Sequence, residues 1–351
     1  MRTLKFKDAI AEAMLQAMER DEKVIVLGEG VTDSSGIFGT TLPVAKKFPE
    51  RVLEMPLSEA LITGCGTGAA LAGLRPVMIH ARNDFLYLAM DQIVNHAALW
   101  SEMHGGGIKI PWVIRAIVGR GWGNAAQHSQ CLHSLFAHIP GLKVVAPSNA
   151  YRAKGLLISA IEENSPVVFI EHRSLYESGH DVGYDYFSLP LHEAFLCRQG
   201  KSTGVVAHIS LIAVSFIVAE ALRAAKILDE MGIDSEVVDV SSLKPLDTNT
   251  ICRSVRRTGR AIVLDTGWKS FGASAEISAV ISEDCFGDLR KPVVRLALPN
   301  AHIPCSPALE RFYYPGVPDI VNAALVLLGR KKMSPKEIGA LTPQFAGTDP
   351  F

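Results

Sequence analysis

The stretch NAAQHSQCLHSLFAH sets three imidazoles five residues apart, at His128, His133 and His138, just after the glycine-rich run GRGWG. Histidines this close can hold a metal or move protons, and their spacing separates the two uses. At 3.6 residues per turn, steps of five rotate each side chain about 140° from the last, so three rings on a helix do not converge on one ion. Helical two-histidine sites use steps of three or four instead. No Asp or Glu lies between residues 120 and 140 to complete a ligand set. Position singles out His128: it follows a strand end in a loop, and open α/β sheets gather ligand-binding groups outside the carboxyl ends of their strands. His133 and His138 read as polar residues of the helix that follows.

Glu59 opens the pattern SEALITGCGTGAALAG. A glutamate in a first helical turn suits the positive end of the helix, and a buried one can also exchange a proton with a ligand. The glycines at 64, 66, 68 and 73 do not make a dinucleotide loop, which needs G-x-G-x-x-G directly after a strand. They read as a small-residue face for close helix packing, at a cost of roughly 1 kcal/mol per interior glycine relative to alanine. Phe85 and Tyr87, in DFLYL, stand at a strand-to-helix junction, where they serve as core or as a flat platform for a heterocycle. Hydrolase elbow, P-loop and kinase signatures are absent.

These groups must be positioned by α/β structure. A helix is predicted over 8–20 with Asp8 as a cap, then strand KVIVLGEG, a helix over 58–72, strand RPVMI and a helix over 86–103. Strands WVIRAIVG and LKVVAPS, helix AYRAKGLLISAIEE and strand PVVFIEH follow. Short β-branched runs alternating with amphipathic helices predict a parallel sheet covered on both faces. Residues 174–200 lack a sustained period and mark a boundary. A second run has strand TGVVAHI, helix SFIVAEALRAAKILDEMG, strand EVVDV, a helix over 248–257, and strands AIVLD and PVVRLAL. The expected organisation is two doubly wound domains, 1–185 and 200–330, with a polar extension over 331–351.

Bulk properties exclude several classes. The 351 residues allow about two domains, and 48% hydrophobic content with 20% charged residues describes an ordinary globular chain. Lys and Arg number 35 against 36 Asp and Glu, a balance that offers no field for nucleic acid. The six cysteines form no C-x-x-C pair, which argues against a zinc ribbon, and a chain of this length needs no disulfide framework. No apolar run reaches the length of a membrane span, and the opening MRTLKFKDAI lacks a signal-peptide core; the expectation is a cytoplasmic protein.

Several stretches in this order resemble one family: RVLEMPLSEALITGCGTGAALAGLRPV, DFLYLAMDQIVNHAA, GGGIKIPWVIRA, AQHSQCLHSLFAHIPGLKVVAPSNAYRAKGLLISAI and SLKPLDTNTI. The chain is similar to the beta subunits of the thiamine-diphosphate-dependent decarboxylating component of 2-oxo acid dehydrogenase complexes, of pyruvate, branched-chain or acetoin type. The resemblance spans about residues 3–330. It implies a transketolase-like pyrimidine-binding domain followed by a transketolase C-terminal-like domain. It further implies decarboxylation of a 2-oxo acid and transfer of the acyl group to a lipoyl domain. Glu59 matches the glutamate that bonds the cofactor aminopyrimidine, Phe85 the aromatic residue against it with Tyr87 nearby, and His128 the histidine facing substrate and lipoyl group.

The family's metal-binding Gly-Asp-Gly stretch with its later paired asparagine is missing; Gly28-Glu29-Gly30 is the nearest string. The resemblance therefore assigns diphosphate and Mg2+ to an alpha subunit, in a heterotetramer of two alpha and two beta subunits, with a lipoyl-bearing acyltransferase as a further partner. Three stretches depart from the pattern. IHARNDF brings His80 and Arg82 toward the cofactor pocket, making Arg82, with Gln127, a substrate-pocket candidate. TGVVAHIS replaces the usual opening of the second domain. EENSP stands where family members help hold a monovalent cation. Two other readings share these residues: a split transketolase or acyloin-forming carboligase, and a non-catalytic oligomer partner.

Overall fold

The structure, a computed structural model, describes residues 1–121, 123–200 and 207–341. In chain order its elements are β1 (Arg2–Lys5), α1 (Phe6–Arg20), β2 (Val24–Gly28), α2 (Leu42–Lys47), β3 (Val52–Glu54), α3 (Glu59–Leu71), β4 (Arg75–His80), α4 (Leu99–Met103) and β5 (Val113–Val118). Then come α5 (Ala125–His128), α6 (His133–His138), β6 (Lys143–Val145), α7 (Ala150–Glu162), β7 (Val167–His172) and β8 (Gly179–Val182). The remainder comprises β9 (Phe195–Arg198), β10 (Ile209–Ala213), α8 (Ile217–Glu230), β11 (Ser235–Asp239), β12 (Ser242–Lys244), α9 (Thr248–Thr258), β13 (Ala261–Trp268), α10 (Ala273–Asp284), β14 (Val294–Leu298), α11 (Pro307–Glu310), α12 (Val317–Leu327) and α13 (Pro335–Ala340).

Two compact units result. The first takes residues 1–120, 127–192 and 242–245; the second takes the described residues within 121–126, 193–241 and from 246 on. The first unit holds a seven-stranded sheet in the order β12-β6-β7-β5-β4-β2-β3, parallel except at the β12 edge. Every residue of β5 and β7 is buried, because helices cover both faces and no position faces water. α1 buries Phe6, Ile10, Met14 and Ala17 at helical spacing and packs on α7. α1 starts before Asp8, which lies in its first turn rather than capping it.

The second unit holds a five-stranded sheet in the order β14-β13-β10-β11-β9, with β9 the antiparallel edge. Its core joins Leu211 and Leu264 of the sheet to Ala221 and Leu228 of α8 and Val321 and Leu325 of α12. Asp247 caps α9 by accepting from the Thr250 N–H at 2.9 Å, and Gly259, at φ +67°, closes it.

Three expectations shift. The helix over 86–103 is helical in three pieces: a 3₁₀ stretch Asn83–Ala89, a π-helical stretch Asp91–Ala98, then α4. The strand expected at 203–209 falls partly outside the described residues, and the structure places the strand at Ile209–Ala213, where all five positions are buried. Within the expected polar extension, Pro335–Ala340 form α13, capped by Ser334 and pinned by buried Ile338; residues 342–351 lie outside the described residues.

Candidate active site

The site lies in the first unit, at the carboxyl ends of β2, β4 and β5, where parallel sheets expose loop residues to ligands. β2 ends on Gly28, and a Cβ there would lie 2.4 Å from the Ile79 carbonyl, so only glycine lets β2 and β4 close up at this point. Glu29 follows immediately. Its neighbour Glu54 accepts from the Gly30 N–H at 2.5 Å and from the Thr32 N–H and hydroxyl, both at 3.0 Å. Burial works to raise the Glu54 pKa, but these donors outweigh it and hold the carboxyl below its ordinary value.

Glu59 stands at the first position of α3 and is 7% exposed. Burial first, and the charge of Glu59 second, push the Glu29 carboxyl up to about 6, while the Ser58 N–H pulls the other way. Oε1 of Glu29 is buried without a hydrogen-bond partner. The Glu29 carboxyl thus lies within reach of the Glu59 charge, which disfavours its ionised form. Behind them Thr63 Oγ1 lies 3.3 Å from His80 Nε2, tying α3 to the end of β4. Burial lowers the His80 pKa to about 4, so this ring is neutral near pH 7.

The turn after β4 carries the aromatic wall. Asn83 and Asp84 are buried, and their side chains fasten the loop that follows His128. Asn83 Nδ2 donates to Gln130 O at 2.7 Å and Asn83 Oδ1 accepts from the Leu132 N–H at 2.9 Å. Asp84 Oδ1 accepts from the Gln130 N–H at 3.0 Å. Burial raises the Asp84 pKa, opposed by the Gln130 N–H and by the nearby His128 and Arg82. These bonds set the Phe85 and His128 rings edge to face, with centroids 5.5 Å apart and planes at 84°. Phe85 is 36% exposed, leaving ring surface for a partner. Tyr87 Oη lies 3.4 Å from Gln130 Oε1.

His128 ends the one-turn helix α5 rather than sitting in open loop, and Gln127 precedes it, exposed. The close approach of His128 depends on Gly119: a Cβ there would lie 2.0 Å from the His128 carbonyl and 3.3 Å from Arg82 Nε. Arg82 is half-buried and donates through Nη1 to its neighbour Ala81 O at 2.7 Å. His133 is buried, with Nδ1 2.8 Å from Cys131 Sγ, and His138 closes α6. Among the described residues no three His, Cys, Asp or Glu side chains gather as a metal set.

The chain matches the transketolase pyrimidine-binding domain over residues 2–178 and the transketolase C-terminal domain over residues 205–320. The beta subunit of acetoin:2,6-dichlorophenolindophenol oxidoreductase from Cupriavidus necator is 40% identical over 333 residues, 92% of this chain and 97% of that one. The Bacillus subtilis protein of the same name is 39% identical, covering 95% of this chain and 99% of its own. The pyruvate dehydrogenase E1 component subunit beta of Rickettsia bellii is 37% identical over 90% of this chain and 96% of its own. This chain belongs to the E1 beta subunit family of 2-oxo acid dehydrogenases. Its fold is shared with a split-gene transketolase described as an inactive beta4 tetramer, at a TM-score of 0.74 and 23% identity over 93% of this chain and 99% of that one.

Within this E1 beta subunit the structure brings Phe85, His128, Asp84 and Arg82 into one neighbourhood and sets Glu59 beside Glu29. Sequence reasoning passed over Glu29, Asn83 and Asp84. Glu29 carried a usable signal, an acidic residue between two glycines at a strand end. Asn83 and Asp84 carried none, because their partners lie about fifty residues further along the chain.

Proposed function

We propose that this chain supplies the aminopyrimidine half of a thiamine diphosphate site and, with an alpha subunit, decarboxylates a 2-oxo acid and passes the acyl group to a lipoyl domain. The observation that carries the reading is the buried Glu59 carboxyl, within reach of Glu29, in the same unit as the partly exposed Phe85 and its ring partner His128. The residues fit an aminopyrimidine: a buried carboxyl for a ring nitrogen, an unpartnered buried Glu29 oxygen, and an aromatic face open to a flat heterocycle. When bound, thiamine diphosphate supplies a carbon nucleophile and a sink for the electrons freed as CO2 leaves.

This chain's own groups do the rest. Glu59 holds a proton at N1′ of the pyrimidine. Phe85 packs on the ring with Tyr87 at its border. His128 gives or takes a proton at the reacting oxygen and at the lipoyl sulfur. Arg82 and Gln127 line the substrate side. The diphosphate and Mg2+ fall to the alpha subunit, since this chain has no Gly-Asp-Gly stretch, in a heterotetramer of two alpha and two beta subunits. A monovalent cation near residues 162–166 and a lipoyl-bearing acyltransferase belong to the same reading. So do the domain limits 1–185 and 200–330 and a cytoplasmic setting; no helix among the described residues is long and apolar enough to cross a membrane.

The deciding experiment mixes the purified chain with an alpha subunit of the same family, thiamine diphosphate and Mg2+. The reading expects no 2-oxo acid decarboxylation from the chain alone and turnover on mixing, with acyl transfer to an added lipoyl domain. Full activity of the chain alone refutes it. Transfer to aldehydes but never to lipoyl groups replaces it with the carboligase reading.

A further inference from the structure

Residues 36–39 run four in a row through left-handed backbone, with φ of +42° at Gly36, +44° at Ile37, +58° at Phe38 and +93° at Gly39. For Ile37 and Phe38 this backbone is strained, so the surroundings must hold the turn in place. Thr41 Oγ1 donates to Val31 O at 2.8 Å and Thr40 Oγ1 to Ile37 O at 2.9 Å. The turn presents the Phe38 ring to two guanidinium groups: Arg173 Cζ lies 4.1 Å from its centroid and Arg82 Cζ 5.3 Å. The Tyr176 ring meets Phe38 edge to face at 6.1 Å.

Two like charges gathered on one ring repel. Burial lowers the pKa of both, and the Arg173 charge adds to the lowering at Arg82. The nearby carboxylate, Asp84, is already engaged, with Oδ1 on the Gln130 N–H and Oδ2 on Asn83 Nδ2. Arg82 Nε is buried without a hydrogen-bond partner. Arg115, in the same unit, shows what this chain does with an arginine it satisfies internally: Nε and Nη2 fork onto Glu171 at 2.5 and 2.9 Å. Arg82 Nε instead lies against Gly119, beside the carbonyl of His128.

We propose that Arg82 and Arg173 form a binding pair for a second oxyanion on the substrate, so that this enzyme prefers 2-oxo acids carrying a carboxylate or phosphate at the far end of the chain. Planar guanidinium forks match either group, and half-burial strengthens the pairing over what water allows. The proposal rests on the 2-oxo acid reading above and names its substrate class.

The test uses the assembled enzyme with 2-oxoglutarate, 2-oxo-4-phosphonobutanoate and the uncharged-ended 2-oxopentanoate as probes. The expected result is a kcat/KM about tenfold or more higher for one of the two charged probes than for 2-oxopentanoate. Arg82→Gln should shrink that ratio by about tenfold, and Arg82→Lys should restore part of it. A wild-type preference for 2-oxopentanoate, or a ratio that Arg82→Gln leaves unmoved, overturns the pair. A second measurement keeps the two readings apart. Calorimetric titration of the full-length chain with glutarate and with butyrate expects glutarate binding that Arg82→Gln weakens about tenfold. If no 2-oxo acid is turned over, the function falls and this titration still decides: equal glutarate binding by wild type and Arg82→Gln overturns the anion site.

Discussion

The Phe85 and His128 rings meet edge to face at 5.5 Å, held there by Asn83 and Asp84 rather than by any bond of their own. The two rings come from segments about forty residues apart, and two buried polar side chains fix their relation. His128→Ala should therefore leave cofactor binding near its wild-type value while slowing acyl transfer by about 10²–10⁴-fold. Steady-state transfer to a lipoyl domain, compared with thiamine diphosphate affinity from fluorescence quenching, checks this. Equal losses in both would place His128 in cofactor binding instead.

Glu59→Gln keeps the shape of the side chain and removes its acid–base function. Exchange of the C2 proton of thiamine diphosphate in the assembled enzyme should fall by about 10²–10⁴-fold. Hydrogen–deuterium exchange read by NMR supplies the measurement, and near-normal exchange would take the role away from Glu59.

Glu29 predicts a pH effect. Its folded-state pKa is raised from 4.5 to about 6, so the folded chain binds more protons at this group than the unfolded one. The ionised carboxyl then costs stability progressively as pH rises from 4.5 to about 6, and the full cost persists above that window. Glu29→Gln should melt higher than wild type near pH 8, with the difference closing near about pH 4. Thermal denaturation at the two pH values tests the sign, and a Gln variant that melts lower near pH 8 contradicts it.

Arg115 and Glu171 are both fully buried as an ion pair, and Tyr176 Oη adds a 2.7 Å hydrogen bond to the same carboxylate. Arg115→Met leaves the buried Glu171 carboxyl without its fork, at a cost of about 3–5 kcal/mol. Urea denaturation should show the loss directly. The double variant Arg115→Met with Glu171→Leu should recover much of it, which a purely steric defect would not.

The expected architecture was legible where chain and physics were local. Continuous apolar runs announced β4, β5 and β7, and a helix over 248–257 anticipated α9. The site was legible only in part. Glu59, Phe85 and His128 stood out through type and position, but their supports did not. Asn83 looks like a turn residue until the loop at 130–132 is folded back onto it. The helix expected over 86–103 winds instead as 3₁₀ over Asn83–Ala89 and π over Asp91–Ala98, and Asn83 and Asp84 at the head of that stretch bond the loop at 130–132. Arg82 was noticeable alone; Arg173 was not, because only the folded turn at 36–39 places one ring under both. α10 and α12 were not anticipated, although α12 buries Ile320, Val321, Ala324 and Leu325 at helical spacing.

Gly119 carries no functional group, yet a single methyl there would press on the carbonyl of His128 at 2.0 Å. The imidazole's reach toward Phe85 is set by an absence of atoms on the adjacent strand end. Random mutagenesis read out by activity should thus find position 119 as intolerant as the histidine itself. A map of inactivating changes would then mark the active centre partly by residues with no chemistry to offer.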